Sequence, residues 1–393
     1  MRSTATLLVA LAAAVLGSQA DAYDQLVEKQ VFEMGAYTTV GGQTIPDVRI
    51  GWEAYGTLND AHDNVILVTH FFSGTSHAAG RYAEDDAAPG YWDAIIGPGL
   101  PLDTDRYYVI SSDTLVNLNA NDPMVTTTGP ASINPATGEP WGMDFPIVTI
   151  EDFVHVQKAL LDSLGIDRLH AVMGASMGSL QALEWAATYP EMVERVIPVI
   201  PAGQADAWLI AWLDLWGAPI MLDPNWNGGD YYGGEPPLAG LTLALELVTL
   251  QARHPIWADA TFGRNWAADG ADPAADFDNR YAVEAWLADA GSARAAVADA
   301  NHFLYLVKAN QLFVAGHDGS LEEGLAHIQA PVLLLPAASD LLLMPYMARA
   351  VRDGLMDREA PVDYLELEGT LGHIDGIAVI GQAGDAIRAF LEQ

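Results

Sequence analysis

The chain has 393 residues, 51% of them hydrophobic, enough to bury a large core and to carry one catalytic domain with a sizeable insertion. Its 17 basic and 52 acidic residues leave a formal net charge of −35, a field that repels nucleic acid and anionic membrane surfaces and favours solubility. Cysteine is absent, which excludes disulfides, thiolate metal sites and a cysteine nucleophile.

At the N-terminus Arg2 precedes an apolar run from Ala5 to Leu16, and Ala20-Asp21-Ala22 closes it. A basic start, a short hydrophobic centre and a small-x-small end predict a secretory signal peptide over residues 1–22, and hence a periplasmic or secreted protein. The run is too short to span a bilayer as a stable helix. No later stretch reaches about 18 uninterrupted apolar residues, so no stable membrane insertion is expected.

Further along, strand-like runs alternate with helix-like ones. The strands are expected at Val65–His70, Tyr107–Ser111, Leu169–Met173, Val196–Ile200, Val332–Leu335 and Tyr364–Leu367. Such alternation predicts an α/β fold with a mainly parallel sheet flanked by helices. Phe153, Val156, Leu160, Leu161 and Leu164 share one face of a helix over Ile150–Leu164. A second helix is expected from just after Ser176 to about Thr188, ended by Tyr189-Pro190. From 203 to 323 the rhythm is lost, and seven of the eleven tryptophans gather there. This stretch reads as a helical lid over a core made of 23–202 and 324–393. Its aromatic residues are candidates for lining an apolar cleft or for packing the lid itself.

Gly174-Ala175-Ser176-Met177-Gly178 follows an apolar strand and opens a helix. In that setting G-x-S-x-G marks a nucleophile elbow, a turn so tight that bulky neighbours of the serine would clash. A serine hydroxyl needs a base to take its proton. His373 follows the last expected strand and is the histidine the chain order Ser, acid, His requires. The acid should follow the preceding strand, where Asp340 stands. Asp353 falls on an expected helix and Asp363 leads into the last strand. The carboxylate would orient the imidazole and stabilise its protonated form. The N–H of Met177 is the first expected oxyanion donor. The second comes from the loop after Val65–His70, with Phe72 chosen and Phe71 beside it, while His70 is expected to be a structural hydrogen-bonder. The acidic run Asp269–Asp278 lacks the spacing of a calcium loop. With no phosphate loop or dinucleotide fingerprint either, no metal and no cofactor are expected.

Several motifs resemble the homoserine O-acetyltransferase (MetX-like) branch of the α/β-hydrolases. They include Tyr55-Gly56-Thr57-Leu58-Asn59, Ile96-Gly97-Pro98-Gly99 with Asp103-Thr104-Asp105-Arg106-Tyr107, Gly129-Pro130-Ala131-Ser132-Ile133-Asn134-Pro135 and Asp144-Phe145-Pro146. The elbow continuing through Gln181-Ala182-Leu183-Glu184-Trp185-Ala186, Gly228-Gly229-Asp230-Tyr231-Tyr232 and Gly372-His373 complete the set, and the likeness runs from about residue 45 to the end. The resemblance implies a triad of Ser176, Asp340 and His373 and a helical lid that forms a tunnel to the serine. It also implies two polar anchors for homoserine that this chain replaces. The arginine position is Leu245, and the aspartate after the histidine is Ile374, with Asp375 one step later. Arg253, Arg264 and Asp375 are the candidates to substitute for them. An ammonium or carboxylate left unpaired in a tunnel is costly. The expected function is therefore an exported acyl hydrolase acting on a small ester through an acyl-enzyme on Ser176. The alternatives are transfer of the acyl group to an alcohol, and a non-catalytic binding protein on the same scaffold. The lid is the surface through which a homodimer would form.

Overall fold

The structure, a computed structural model, describes residues 23–317 and 319–393. Residues 1–22, where a signal peptide is expected, lie outside the described residues. Eight strands form one sheet: β1 Gln30–Thr38, β2 Thr44–Tyr55, β3 Val65–Thr69, β4 Tyr108–Ser112, β5 Ala171–Ala175, β6 Val196–Val199, β7 Val332–Leu334 and β8 Val362–Tyr364. Their spatial order is β1-β2-β4-β3-β5-β6-β7-β8. The pairs β1/β2 and β2/β4 are antiparallel and all the others parallel.

The central strands are apolar on both faces. Every residue of β3 and β5 is buried, as expected where helices cover a parallel sheet on both sides. One core cluster includes Val65, Leu67, Val172 and Trp185, and the other includes Ile66, Val68, Ala171 and Met173, so alternate residues of the same strands feed opposite layers. Two helices set the frame, α1 over Ile150–Ser163 and α2 over Met177–Thr188. A capping box starts α1: the Thr149 hydroxyl accepts from the Asp152 N–H, and the Asp152 carboxylate accepts from the Thr149 N–H at 2.7 Å. The other oxygen of Asp152 accepts from the Tyr37 hydroxyl at 2.7 Å, which ties β1 to this helix. Buried from Met177 to Ala187, α2 packs against β5 and β6.

The six expected strands are all present; three end one residue early, and the other three are displaced along the chain, the last so far that it shares only Tyr364 with the expected span. The strand before the elbow is Ala171–Ala175 rather than Leu169–Met173, so it runs directly into Ser176. The final strand is Val362–Tyr364; beyond it Leu367 reaches the sheet only through a bridge to Ala337. The antiparallel β1 and β2 were not foreseen.

Between Val199 and Val332 no strand joins the main sheet among the described residues. This stretch holds α3 Ala207–Leu222, α4 Leu238–Gln251, α5 Pro255–Thr261, α6 Ala282–Ala295, α7 Ala300–Gln311 and α8 Leu321–Leu325. Helix α4 packs on both α3 and α6, and α3 packs on α7. Helix α9, Pro345–Met356, returns the chain to β8. No described helix is long and apolar enough to cross a membrane.

Candidate active site

Ser176 sits between β5 and α2 with φ 57° and ψ −123°, a backbone conformation that a side-chain-bearing residue adopts only when its surroundings hold it. They do so on both sides. The Ser176 N–H donates to the Val199 carbonyl at 3.0 Å, and the Ser176 carbonyl accepts from the Ser179 hydroxyl at 2.6 Å. A Cβ at Gly178 would overlap the Thr69 carbonyl, and one at Gly174 would overlap the Thr69 hydroxyl and the Gly178 carbonyl. The two glycines are required because β3 and the first turn of α2 meet there without room for a methyl group.

The three residues expected to act together converge. His373 Nε2 lies 2.7 Å from Ser176 Oγ, and His373 Nδ1 lies 2.7 Å from Asp340 Oδ2. With a carboxylate as its partner, Nδ1 is the protonated nitrogen, so Nε2 is free to accept the serine proton. The other oxygen of Asp340 accepts from the Leu342 and Leu343 N–H groups at 2.8 and 3.1 Å. This fixes the carboxylate rotamer in a fully buried setting. Asp340 caps no helix, since α9 begins at Pro345.

Met177 opens α2, where its N–H has no carbonyl of a preceding helical turn to serve. Phe72 and Phe71 lie on the loop after β3, and both line the same cavity as Ser176 and Met177. Among the described residues, turn and loop hydrogen bonds there use the Phe71 carbonyl but neither the Phe71 nor the Phe72 N–H. The loop is pinned from behind: Asn117 Nδ2 donates to the Gly74 carbonyl at 3.1 Å, Asn119 Nδ2 to the Ser73 carbonyl at 3.2 Å, and Gln181 Nε2 to the His70 carbonyl at 3.1 Å. Gln181 is itself held by Gln157, which accepts from the Trp185 indole. Sequence reasoning missed these positioning amides, because nothing local marks an Asn or Gln as facing a loop distant in the chain. His70 is structural, as expected. Its Nε2 accepts from the Thr114 N–H, its Nδ1 bonds the Phe71 carbonyl, and burial lowers its pKa to about 4.

Ser176 opens onto a cavity of about 490 Å³. Its walls are mainly apolar, with Leu209, Leu213 and Trp216 from α3, Val248 from α4, Trp286 from α6 and Ile374 beside the histidine. Of the seven tryptophans in the helical stretch, Trp216 and Trp286 line it, whereas Trp208 and Trp266 are exposed. Leu245 is fully buried and is not part of the wall. Asp375 is turned elsewhere: its carboxylate accepts from the Ser339 hydroxyl at 2.7 Å and from the Leu371 N–H. Arg264 donates to the Tyr281 hydroxyl, away from the cavity. Of the three expected substitutes only Arg253 reaches the wall. It is joined by Arg294, which sequence reasoning missed.

The sheet order, the elbow and the chain order of its partners define an enzyme of the α/β-hydrolase fold, and the family model described as alpha/beta hydrolase fold matches residues 72–364. Within that fold the chain belongs to the homoserine O-acetyltransferase branch, as its motifs implied. A homoserine O-acetyltransferase of Methanococcoides burtonii is 40% identical over 91% of this chain and 72% of its own length. The crystal structure of homoserine O-acetyltransferase from Bacillus anthracis superposes with a TM-score of 0.89 at 38% identity, covering 94% of this chain and 98% of that one. The crystal structure of esterase E22 gives 0.90 at 55% identity, covering 93% and 100%.

Proposed function

We propose that this chain transfers acyl groups through a covalent intermediate on Ser176, with an alcohol as the acceptor. The observation that carries the reading is the pair of 2.7 Å contacts that link Ser176 and His373, both in the wall of one cavity, to the buried Asp340 behind them. Ser176 Oγ attacks the carbonyl carbon while His373 Nε2 takes its proton. The oxyanion accepts from the Met177 and Phe72 N–H groups. Collapse expels the leaving group, which takes the proton from His373. The acceptor hydroxyl then gives its proton to the same nitrogen and attacks the acyl-serine, releasing the new ester and free Ser176. The names of the relatives favour an alcohol over water as acceptor, which reverses the order expected from sequence. The helices between β6 and β7 act as the lid in this reading.

Hydrolysis is the second reading, favoured by the 55% identical esterase and by apolar Ile374 in the wall. Among the described residues no Asp or Glu lines the cavity to receive the ammonium of homoserine. Homoserine is therefore expected to be a poor acceptor.

The test is turnover of p-nitrophenyl esters with and without added alcohols, following both the free acid and the new ester. New ester exceeding free acid supports transfer; free acid alone at every acceptor concentration establishes hydrolysis. Ser176→Ala should lose fluorophosphonate labelling and about 10⁴- to 10⁶-fold in kcat. Normal labelling of that variant would remove Ser176 from the mechanism.

We also propose export, from Arg2, the Ala5–Leu16 run and Ala20-Asp21-Ala22. The mature protein should begin at Tyr23, or at Asp21 if cleavage follows Ala20. N-terminal sequencing that finds Met1 in the mature protein would overturn it.

A further inference from the structure

Two arginines face the cavity that holds Ser176, Arg253 just past the end of α4 and Arg294 in the last turn of α6. In a chain with three acids for every base, a guanidinium ordinarily finds a carboxylate. Neither of these does. Arg294 Nη1 donates to the Thr249 hydroxyl at 2.6 Å and the residue forms no ion pair among the described residues. The Arg253 guanidinium stacks at 4.5 Å on the Trp257 ring. The acid whose charge it senses, Asp375, has its oxygens engaged by Ser339 and Leu371.

A cation in the last turn of a helix is favoured by the helix dipole, which is a sufficient reason for Arg294 to be tolerated at that position. It does not explain why the side chain is aimed into an apolar cavity. Burial lowers the pKa of Arg294 to about 10, so it is charged at neutral pH in surroundings that penalise charge. A guanidinium carries five N–H donors, and among the described residues only one contact of the Arg294 side chain and none of the Arg253 side chain is a hydrogen bond to protein. Both side chains are half-buried in the cavity wall, so their remaining donors face the cavity and are open to whatever acceptor enters it. A carboxylate meets a guanidinium with two parallel bonds. Without an acid in the same wall, the anion that fits has no ammonium beside it, which separates it from an amino acid.

We infer that the substrate of this cavity carries a carboxylate, received by Arg294 and Arg253, on an ester that has no amino group. The inference rests on the acyl-enzyme reading for its chemistry and on the two arginines for its specificity. The carboxylate belongs either to the acyl part, as in the half-ester of a dicarboxylic acid, or to the alcohol part, as in an O-acyl hydroxy acid.

Two matched pairs separate these sources. p-Nitrophenyl hemiglutarate against its methyl ester places the charge on the acyl side, and 4-acetoxybutyrate against its methyl ester places it on the alcohol side. In one pair the acid should exceed the neutral ester in kcat/KM by about 10- to 100-fold. That ratio should fall to near one in Arg294→Gln and in Arg253→Gln, and be partly kept in Arg294→Lys, each compared at a verified melting temperature. A neutral ester preferred in both pairs, or a ratio unchanged by both glutamine variants, overturns the inference. Calorimetric titration of glutarate into the Ser176→Ala protein tests the anion site without any chemistry. Saturable binding there that is absent in the double variant with Arg294→Gln upholds the site even if fluorophosphonate fails to label the wild-type serine, which would remove the acyl-enzyme reading alone. No glutarate binding together with no acid preference removes the anion site.

Discussion

His70 shows what a buried histidine does when both ring nitrogens are taken up by the backbone. It stands at the end of β3, fully buried, with Nε2 accepting from the Thr114 N–H and Nδ1 on the Phe71 carbonyl. Both ring nitrogens serve the backbone around the loop after β3, and a second proton would cost one of those bonds. Its folded pKa of about 4 lies below the ordinary 6.5, and burial depresses His302 in the same direction. The unfolded chain therefore binds more protons between these values. The stability contribution is full above about pH 6.5 and is lost as pH falls towards 4. For His70 alone the loss by pH 5 is roughly 2 kcal/mol. Burial raises the carboxyl of Asp113, which acts in the opposite sense. Urea midpoints should thus decline from pH 7 to pH 5, and decline less in His70→Gln; a flat wild-type profile over that range would contradict the assignment. Ser176, Asp340 and His373 were legible because each is marked locally, by glycines or by position just past a strand. Arg294 was not, because only the packing of α6 on α4 decides which way it points.

At the scale of elements, the end of α4 meets the histidine loop through Gly372. This glycine has φ 79°, and a Cβ there would lie 2.9 Å from the Arg253 carbonyl carbon and the His254 nitrogen. Gly372→Ala meets both a disfavoured backbone region and a close approach, about 1–3 kcal/mol of destabilisation. The methyl group can be accommodated only by moving the loop or the helix end, and the loop carries His373. A shift of an ångström at a catalytic group costs about 10²-fold in rate, so kcat on a neutral ester should fall by about 10- to 100-fold. Wild-type kcat accompanied by a lower melting temperature would show that the loop absorbs the change. Strands β1 and β2 escaped the sequence reading for a related reason. Their faces alternate between core and solvent and carry Glu33, Asp47, Arg49 and Glu53 among apolar residues. Glu53 is charged yet fully buried, paired with Lys29 and His77, and a pattern of that kind does not stand out as a hydrophobic run.

Over the whole molecule, the parallel sheet was legible because its central strands are uninterrupted apolar runs, and the helical character of 203–323 because the strand rhythm stops there. The chemistry of the cavity was not, since its wall is assembled from α3, α4, α6 and the loops around Phe72 and Ile374, segments spread over some 300 residues. The contact between Gly372 and the Ala252–His254 backbone has a bearing on how such enzymes can be recombined. A lid taken from a relative is commonly regarded as an interchangeable part, chosen for the substrate it admits. Here the exchangeable stretch includes a few backbone atoms that form a wall for the base-bearing loop. A chimera cut at the edges of this stretch inherits the donor's spacing at that wall, and with it the placement of an imidazole that belongs to the recipient. The workable crossover keeps residues 252–254 with the histidine and exchanges only what lies on the far side of them.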